Sequence, residues 1–531
     1  MKNRFRHMLF LGLVLLLVGG VVLSSTFYSG RPQPNRDFRA ESNVPLMQIP
    51  EQDKAWRIYR DLWIQFDFGE GGEGTFDELY TPLVTGQKRR LVRPADGEPW
   101  RVAVAKLASC PELLEGFRTA SQCPSFGLPN AASVKDMDPR DVQALFPKSY
   151  QSLLANAESS VSSDRPVPLT QSISSCLLIA QKMRLLLIVD SRWAMEQGDS
   201  ERITRNVEAI FGMARQINDQ DRLLDGLLAL AFSSSGIDLI DECIHANVEF
   251  DERQLERLAT AVQRTKMDEI FRYSSERFFF EDIIQHSYTD NGHGDGRITW
   301  QGLEHMDEAY HPSQFDWSPE NVWMNQLRLI PLYVVAPGAM LRYATRKQMT
   351  EKAESLFDRV DEYLFAPLTD DASRAFEIEL AELPVSYRPI QRFMQYAVTS
   401  KSRVLQCMGD RAGAIGALAV LRFQRQNGTL PTTLEEMVGT FLTEIPLDPV
   451  TGQPLRYVVQ NADFFIYSVG AIARDDGGMG PMLSDSGPVI PVPLSKRHEP
   501  GLRPVAASAY DLDDKQPGDW ILWPRYSAEA P

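Results

Sequence analysis

Hydrophobic and polar positions divide the chain into stretches of different period. Met8 to Leu23 is an unbroken apolar run behind the basic Lys2, Arg4 and Arg6. This is the pattern of a membrane anchor or signal segment over residues 1–30, at the short end of the ~17–25 residues that span a bilayer. No good small-residue cleavage site follows Leu23. An uncleaved anchor with its short basic terminus inside is therefore expected, although Arg31, Arg36 and Arg39 on the far side weaken the charge asymmetry. Residues 31–170 give a polar tether with Pro32 and Pro34, a helix over 50–65, and then short strand-like and helical pieces. A Ser-rich piece, Ser159 to Ser163, with Pro166 and Pro168, closes that region.

Residues 171–405 carry a helical period. Ser174 to Met195 is apolar on nearly all sides and predicts a central helix. Gly198-Asp199 breaks it and Ser200 is placed to cap the next, which shows Ile203, Val207, Ile210, Phe211, Ala214 and Ile217 at helical spacing. Further helices are expected over Leu223–His245, Glu252–Lys266, Met267–Tyr288, 321–334, 338–365 and 386–426. Short turns between them imply antiparallel neighbours. The Gly198-Asp199 turn resembles that of tetratricopeptide hairpins, but Ile203 and Ile210 stand where that motif needs small residues. The expectation is an irregular helical bundle or short α-solenoid.

From residue 406 to 531 the period changes. Ala414 to Gln426 is an amphipathic helix with basic residues in its last turn, and Asn427-Gly428 and Pro431 end it. Thr432 or Thr433 is placed to cap a second helix. Leu455 to Val459 and Phe464 to Val469 are β-rich runs joined as a hairpin. One face of Leu455, Tyr457, Val459, Phe465, Tyr467 and Val469 is expected on the helix. Residues 479–510, with six prolines, read as an inserted surface loop, and Asp511 to Trp523 closes the unit.

The helix ending in FQRQNGTLP, the PLDPVTGQPLRY turn and strand, IYSVG before an acidic glycine-rich loop, and the tail Gly518-Asp519-Trp520 resemble the globular part of the major pseudopilins of type II secretion. The resemblance covers about an eighth of the chain. It implies a small α+β module whose acidic loop holds calcium, with Asp475, Asp476 and Asp519 as the remaining candidate ligands, since Ile472 falls on the family's ligand aspartate. The apolar run holds no acid and follows no prepilin-peptidase site, so a filament subunit is not expected. The fold class expected is therefore mainly α, with a C-terminal pseudopilin-like α+β module and an N-terminal membrane anchor.

A formal net charge of −16 over 531 residues argues against nucleic acid as a partner. Five cysteines without a C-x-x-C spacing argue against a zinc ribbon or thioredoxin-type site. Cys110 and Cys123 flank a Pro-containing segment and are expected to pair in an oxidising compartment; Cys176, Cys243 and Cys407 sit in apolar helical runs as core thiols.

Candidate chemistry is sparse. Gly69 to Gly74 formally contains G-x-G-x-x-G, but Glu70 and Glu73 would repel a pyrophosphate, which makes it an acidic loop. Asp290 to Thr299 resembles a calcium EF-hand loop, with Asn291, His293 and Asp295 at ligand positions when Gly296 is the sixth residue. Gly302 then stands where the bidentate glutamate belongs and Glu304 is two residues late; the other reading is a glycine-rich turn. Asp290 and Asp295 are its candidate calcium ligands. His286, His293, His305 and His311, with Glu304, Asp307 and Glu308, offer metal-binding types without an H-E-x-x-H spacing. Ser233 to Gly236 lacks the context of a nucleophile elbow, and Phe271, Tyr273 and Phe278 to Phe280 read as core. The chain is expected to be a single-pass inner-membrane protein facing the periplasm, with a structural or interaction role and an unidentified protein partner. The alternatives are a periplasmic metal-dependent hydrolase and a helical peptide- or lipid-binding protein.

Overall fold

The computed structural model describes residues 32–67, 83–85, 90–131, 134–146, 169, 176–220, 222–299, 302, 342–460, 463–470, 473–478, 480–484, 489–492, 502–504 and 519–524. The anchor segment, the Gly69–Gly74 loop, the Ser159–Ser163 boundary, the helix over 321–334, Glu304, His305, Asp307, Glu308, His311 and Ile472 lie outside the described residues.

The fold is mainly helical with small antiparallel sheets. In chain order the helices are α1 (Phe38–Met47), α2 (Ala55–Asp67), α3 (Glu98–Ala108), α4 (Pro111–Ala120), α5 (Pro139–Leu145), α6 (Cys176–Gln197) and α7 (Ser200–Ile217). Then follow α8 (Leu223–His245), α9 (Glu252–Arg264), α10 (Met267–Ile270), α11 (Glu276–Ser287), α12 (Arg346–Phe365), α13 (Asp371–Ala381) and α14 (Arg388–Asn427). Two short strands, β1 (Val84–Thr85) and β2 (Arg90–Leu91), pair near the N-terminus.

Local chemistry explains most boundaries. Asp199, not Ser200, caps α7 by accepting from the Arg202 N–H, so the capping residue falls one position earlier than the sequence suggests. Asp251 with Gln254, and Thr345 with Gln348, close capping boxes on α9 and α12. Helix α8 runs unbroken through Ser233 to Gly236, with the Ser235 hydroxyl donating back to the Ala231 carbonyl at 2.8 Å. The single helix expected over 267–288 is instead two. Phe271 to Ser275 leave the helix so that the Tyr273 hydroxyl reaches the Phe393 carbonyl at 2.6 Å, and the Tyr273 and Ser274 N–H groups reach Asp361. Helix α13 has no counterpart in the sequence reading, because only Ser373, Phe376 and Leu380 are buried on an otherwise charged segment.

Two apolar cores share α14. The first joins residues 55–128, helices α6, α7 and α9, much of α8, and the C-terminal sheet. The second gathers α10 to α13 around the first half of α14. The N-terminal region is stitched to the helices by polar contacts as well. The fully buried Asp190 carboxylate pairs with Arg118 at 2.7 Å and with Arg202, and accepts from the Asn206 side chain at 2.7 Å. Helices α8 and α14 are long and apolar enough to cross a membrane, yet both are mostly buried within the fold, as core helices are.

In the C-terminal module, β3 (Arg456–Gln460), β4 (Asp463–Ser468) and β8 (Trp520–Trp523) form an antiparallel sheet in the order β3-β4-β8. The second half of α14 lies across it. Gly413 and Gly416 make that approach close: an added Cβ would meet Leu522 Cβ at 2.5 Å and Ile466 Cδ1 at 2.9 Å. The face assignment on β4 differs from expectation. Phe464, Ile466 and Val469 pack with the helix, whereas Phe465 and Tyr467 join Ile521 in a separate small cluster. Beyond Asp463 this strand is buried on both faces, so alternation alone does not select one. The second helix expected after Pro431 is only a turn of 3-10 helix, Leu434–Met437, and Thr433 makes no side-chain cap. Residues 479–510 are not simply a loop: β5 (Gly480–Ser484), β6 (Val489–Val492) and β7 (Leu502–Pro504) pair in the order β6-β5-β7.

Candidate functional site

The glycine-rich loop after α11 is built as a helix cap. The Asp290 carboxylate accepts from the N–H groups of Gly292 (2.8 Å) and Gly294 (3.3 Å), and its second oxygen pairs with Arg346 at 2.7 Å. Asp295 accepts from the N–H of Gly296 at 2.8 Å and of Lys347 at 3.1 Å. Burial works to raise the Asp295 pKa, but hydrogen bonds from Thr345, Lys347 and Gly296 hold it below the usual range. Arg346 and Lys347 open α12, where cations oppose the helix dipole. The two loop carboxylates supply the negative charge that end requires. Their oxygens are thus taken by a guanidinium and by N–H donors, and the residues present do not fit a calcium cage. His286 Nδ1 lies 2.9 Å from the Asp282 carbonyl within its own helix, and His293 is exposed.

Beside this loop is a cavity of about 220 Å³. Its walls include Arg36 just before α1, Phe38 at the start of α1, Ile284 and Gln285 from α11, and Lys347 and Thr350 from α12. Arg36 is held by Glu41 at 2.7 Å and Glu281 at 2.9 Å. Gln285, only 1% exposed, clamps the incoming chain: its Oε1 accepts from the Asn35 and Arg36 N–H groups, both at 3.3 Å, and its Nε2 donates to the Arg36 carbonyl at 2.8 Å.

At the other end of the molecule, Asp475, Asp476 and Asp519 are brought together as the sequence suggested. Asp519 accepts from the N–H groups of Asp476 (3.2 Å) and Gly478 (2.6 Å). Burial, with the nearby charges of Asp475 and Asp476, pushes its pKa up to about 6 against those donors. Asp475 pairs with Arg456 at 2.9 Å and Asp476 with Arg474 at 2.7 Å. Burial would raise Asp475, but the Gly477 N–H and Arg456 lower it. Two of the three carboxylates are thus paired with arginines, while Asp519 is met by backbone N–H groups alone. Among the described residues no three His, Cys, Asp or Glu side chains gather to hold a metal ion.

The neighbouring Asp448, which the sequence marks only as part of a turn, is 1% exposed. It accepts from the Val450 N–H, the Ser468 hydroxyl and the Val469 N–H at 2.8–3.0 Å, fixing the PLDPVTG turn to β4. The Asp-Pro signal marked a turn but not this tertiary bond. Equally unforeseen is Lys401 of α14, 3% exposed. Its Nζ donates to the Tyr363 carbonyl and lies beside the Ser373 hydroxyl, both at 2.7 Å, and it stands 4.2 Å from the Tyr363 ring centre. Burial lowers its pKa to about 8, with Glu377 and Asp370 opposing. It closes the C-terminal end of α12 on the N-terminal end of α13, a structural use of a buried cation.

Cys110 and Cys123 are free thiols, contrary to the expected disulfide. Helix α4 fills the segment between them and spans about 15 Å. A bridge needs Cα atoms within ~7 Å, and a helix between the two residues works against that approach. Burial raises both thiols, Cys110 to about 11. Cys243 and Cys407 are buried as core thiols. Phe271, Tyr273 and Phe280 are fully buried, so they serve the core, while Phe278 is 42% exposed. No family model, curated protein or solved structure matches this chain.

Proposed function

We propose that this protein is a membrane-anchored periplasmic interaction protein without catalysis, whose pseudopilin-like C-terminal module engages a protein partner in secretion or envelope assembly. The observation that carries this reading is α14. One continuous helix of 40 residues, about 60 Å long, belongs to both cores and ends under the C-terminal sheet. Such a helix fixes the module's position relative to the body, as a scaffold needs. The apolar N-terminal run and the pseudopilin-like motifs supply the compartment and the setting.

The module offers a surface for this role. Strand β3 is an edge of its sheet, and Val459 on it is 45% exposed, with Val438 and Leu447 of the same module at 43% and 54%. An exposed strand edge with apolar side chains is a template for pairing. The test is capture from solubilised membranes with full-length protein and with the Val459→Asp variant. A specific partner retained by the wild type and lost by the variant, at unchanged Tm, supports the reading. Identical captures, or none from the wild type, overturn it.

A further inference from the structure

We propose that the outer face of α1, carrying Val44 and Met47, rests on the surface of the bilayer that holds the protein's own N-terminal segment. The inference depends on the anchored reading above. Its first ground is that α1, which buries Phe38 and Leu46 against the body, leaves two further apolar side chains facing outward. Several of its polar side chains are paired. Asn43 exchanges hydrogen bonds with the Asn130 backbone at 2.7 and 2.8 Å, Ser42 accepts from the Asn130 side chain, and Arg39 pairs with Asp136 at 3.3 Å. Glu41 pairs with Arg36. The apolar Val44 and Met47, three residues apart and so neighbours on one face, are 50% and 74% exposed. Met47 is the most exposed large apolar side chain among the described residues.

The second ground is the length of chain leading to this helix. The apolar run ends at Leu23, and Gln285 pins the backbone at Asn35 and Arg36. Asn35 lies twelve positions after Leu23, a span that at full extension reaches about 40 Å. Helix α1 begins two residues beyond Arg36, at Phe38. An anchored chain therefore holds α1 within that reach of the membrane surface, which raises the effective concentration at which its outer face meets the bilayer.

The experiment uses full-length protein reconstituted in vesicles of phosphatidylethanolamine and phosphatidylglycerol. A photo-reactive phenylalanine derivative replaces Met47 in one sample and Val459 in another. Flotation is measured first, because protein that does not float with the vesicles overturns the anchored reading and this inference with it. In floated protein, lipid adducts at position 47 and none at 459 are expected. No lipid adduct at 47, equal adduct at both positions, or an adduct to protein at 47 overturns the inference while leaving the anchor intact.

Discussion

The two halves of α14 solve opposite packing problems. The first half buries bulk. Phe393 lies within 5.1–6.4 Å, centre to centre, of the rings of Tyr273, Phe279, Phe280 and Phe357. The second half removes bulk, with Gly409, Gly413 and Gly416 facing Leu522 and Ile466 of the sheet. Large side chains fill the space between the helices there. Glycines instead let a helix backbone sit almost directly on strand side chains. The same element is thus held by filled volume at one end and by close approach at the other.

The sharpest way to break this comparison is to empty the first half. Phe393→Ala should cost about 3–5 kcal/mol, the usual range for a buried aromatic. Denaturant unfolding of the full chain followed by tryptophan fluorescence measures it, and a loss below 1 kcal/mol would deny Phe393 its place in the core. Filling the second half is next. Gly413→Val should cost about 2–3 kcal/mol, because the Leu522 Cβ, close to its own backbone, has little freedom to move away. Hydrogen exchange should show the loss concentrated in β4 and β8; unchanged protection there would contradict the close contact.

Acid and base distinguish the halves further. Lys401 in the first has a folded pKa of about 8 against an ordinary 10.5. Between those values the native state binds fewer protons than the unfolded chain, so this group makes stability rise with pH across that window and withdraws the gain as pH falls through 8. In the module, Asp519 has a folded pKa of about 6 against 3.8. The native state there binds more protons between those values, so its contribution is full below about 4 and is lost as pH rises through 6. Lys401→Met should flatten the alkaline slope alone and Asp519→Asn the acidic slope alone, read from unfolding free energies over pH 4 to 10. A variant that leaves its own slope intact refutes the assignment.

The smallest effect lies away from α14. Asp295→Ala removes one of the two carboxylates that complement the start of α12 and should cost about 1 kcal/mol, as caps do. Thermal melts with calcium and with chelator should show the same decrement for this variant in both. A calcium-dependent decrement would restore a metal role to Asp295.

What the chain alone determined is what depends on neighbours in sequence. Helical period placed α6 to α9 and α14, the Gly428 stop and its left-handed backbone ended α14 as read, and the hairpin of β3 and β4 followed from its β-rich runs. The Asp475, Asp476 and Asp519 cluster was legible through the motif order that placed loop and tail together. Only the tertiary structure decided the rest. Cys110 and Cys123 are parted because the segment between them coils into α4, whose burial of Leu113, Leu114 and Phe117 outweighs what its length in sequence suggests. The face of β4 was settled by glycines some 50 residues earlier, since a strand apolar on both sides carries no alternation to decide it. The fates of Asp290, Asp295 and Asp475 were set by Arg346, the backbone N–H of Lys347 and Arg456, groups whose proximity no spacing rule encodes. A carboxylate's role depends on which charge or donor reaches it first in space, and that is a property of the fold.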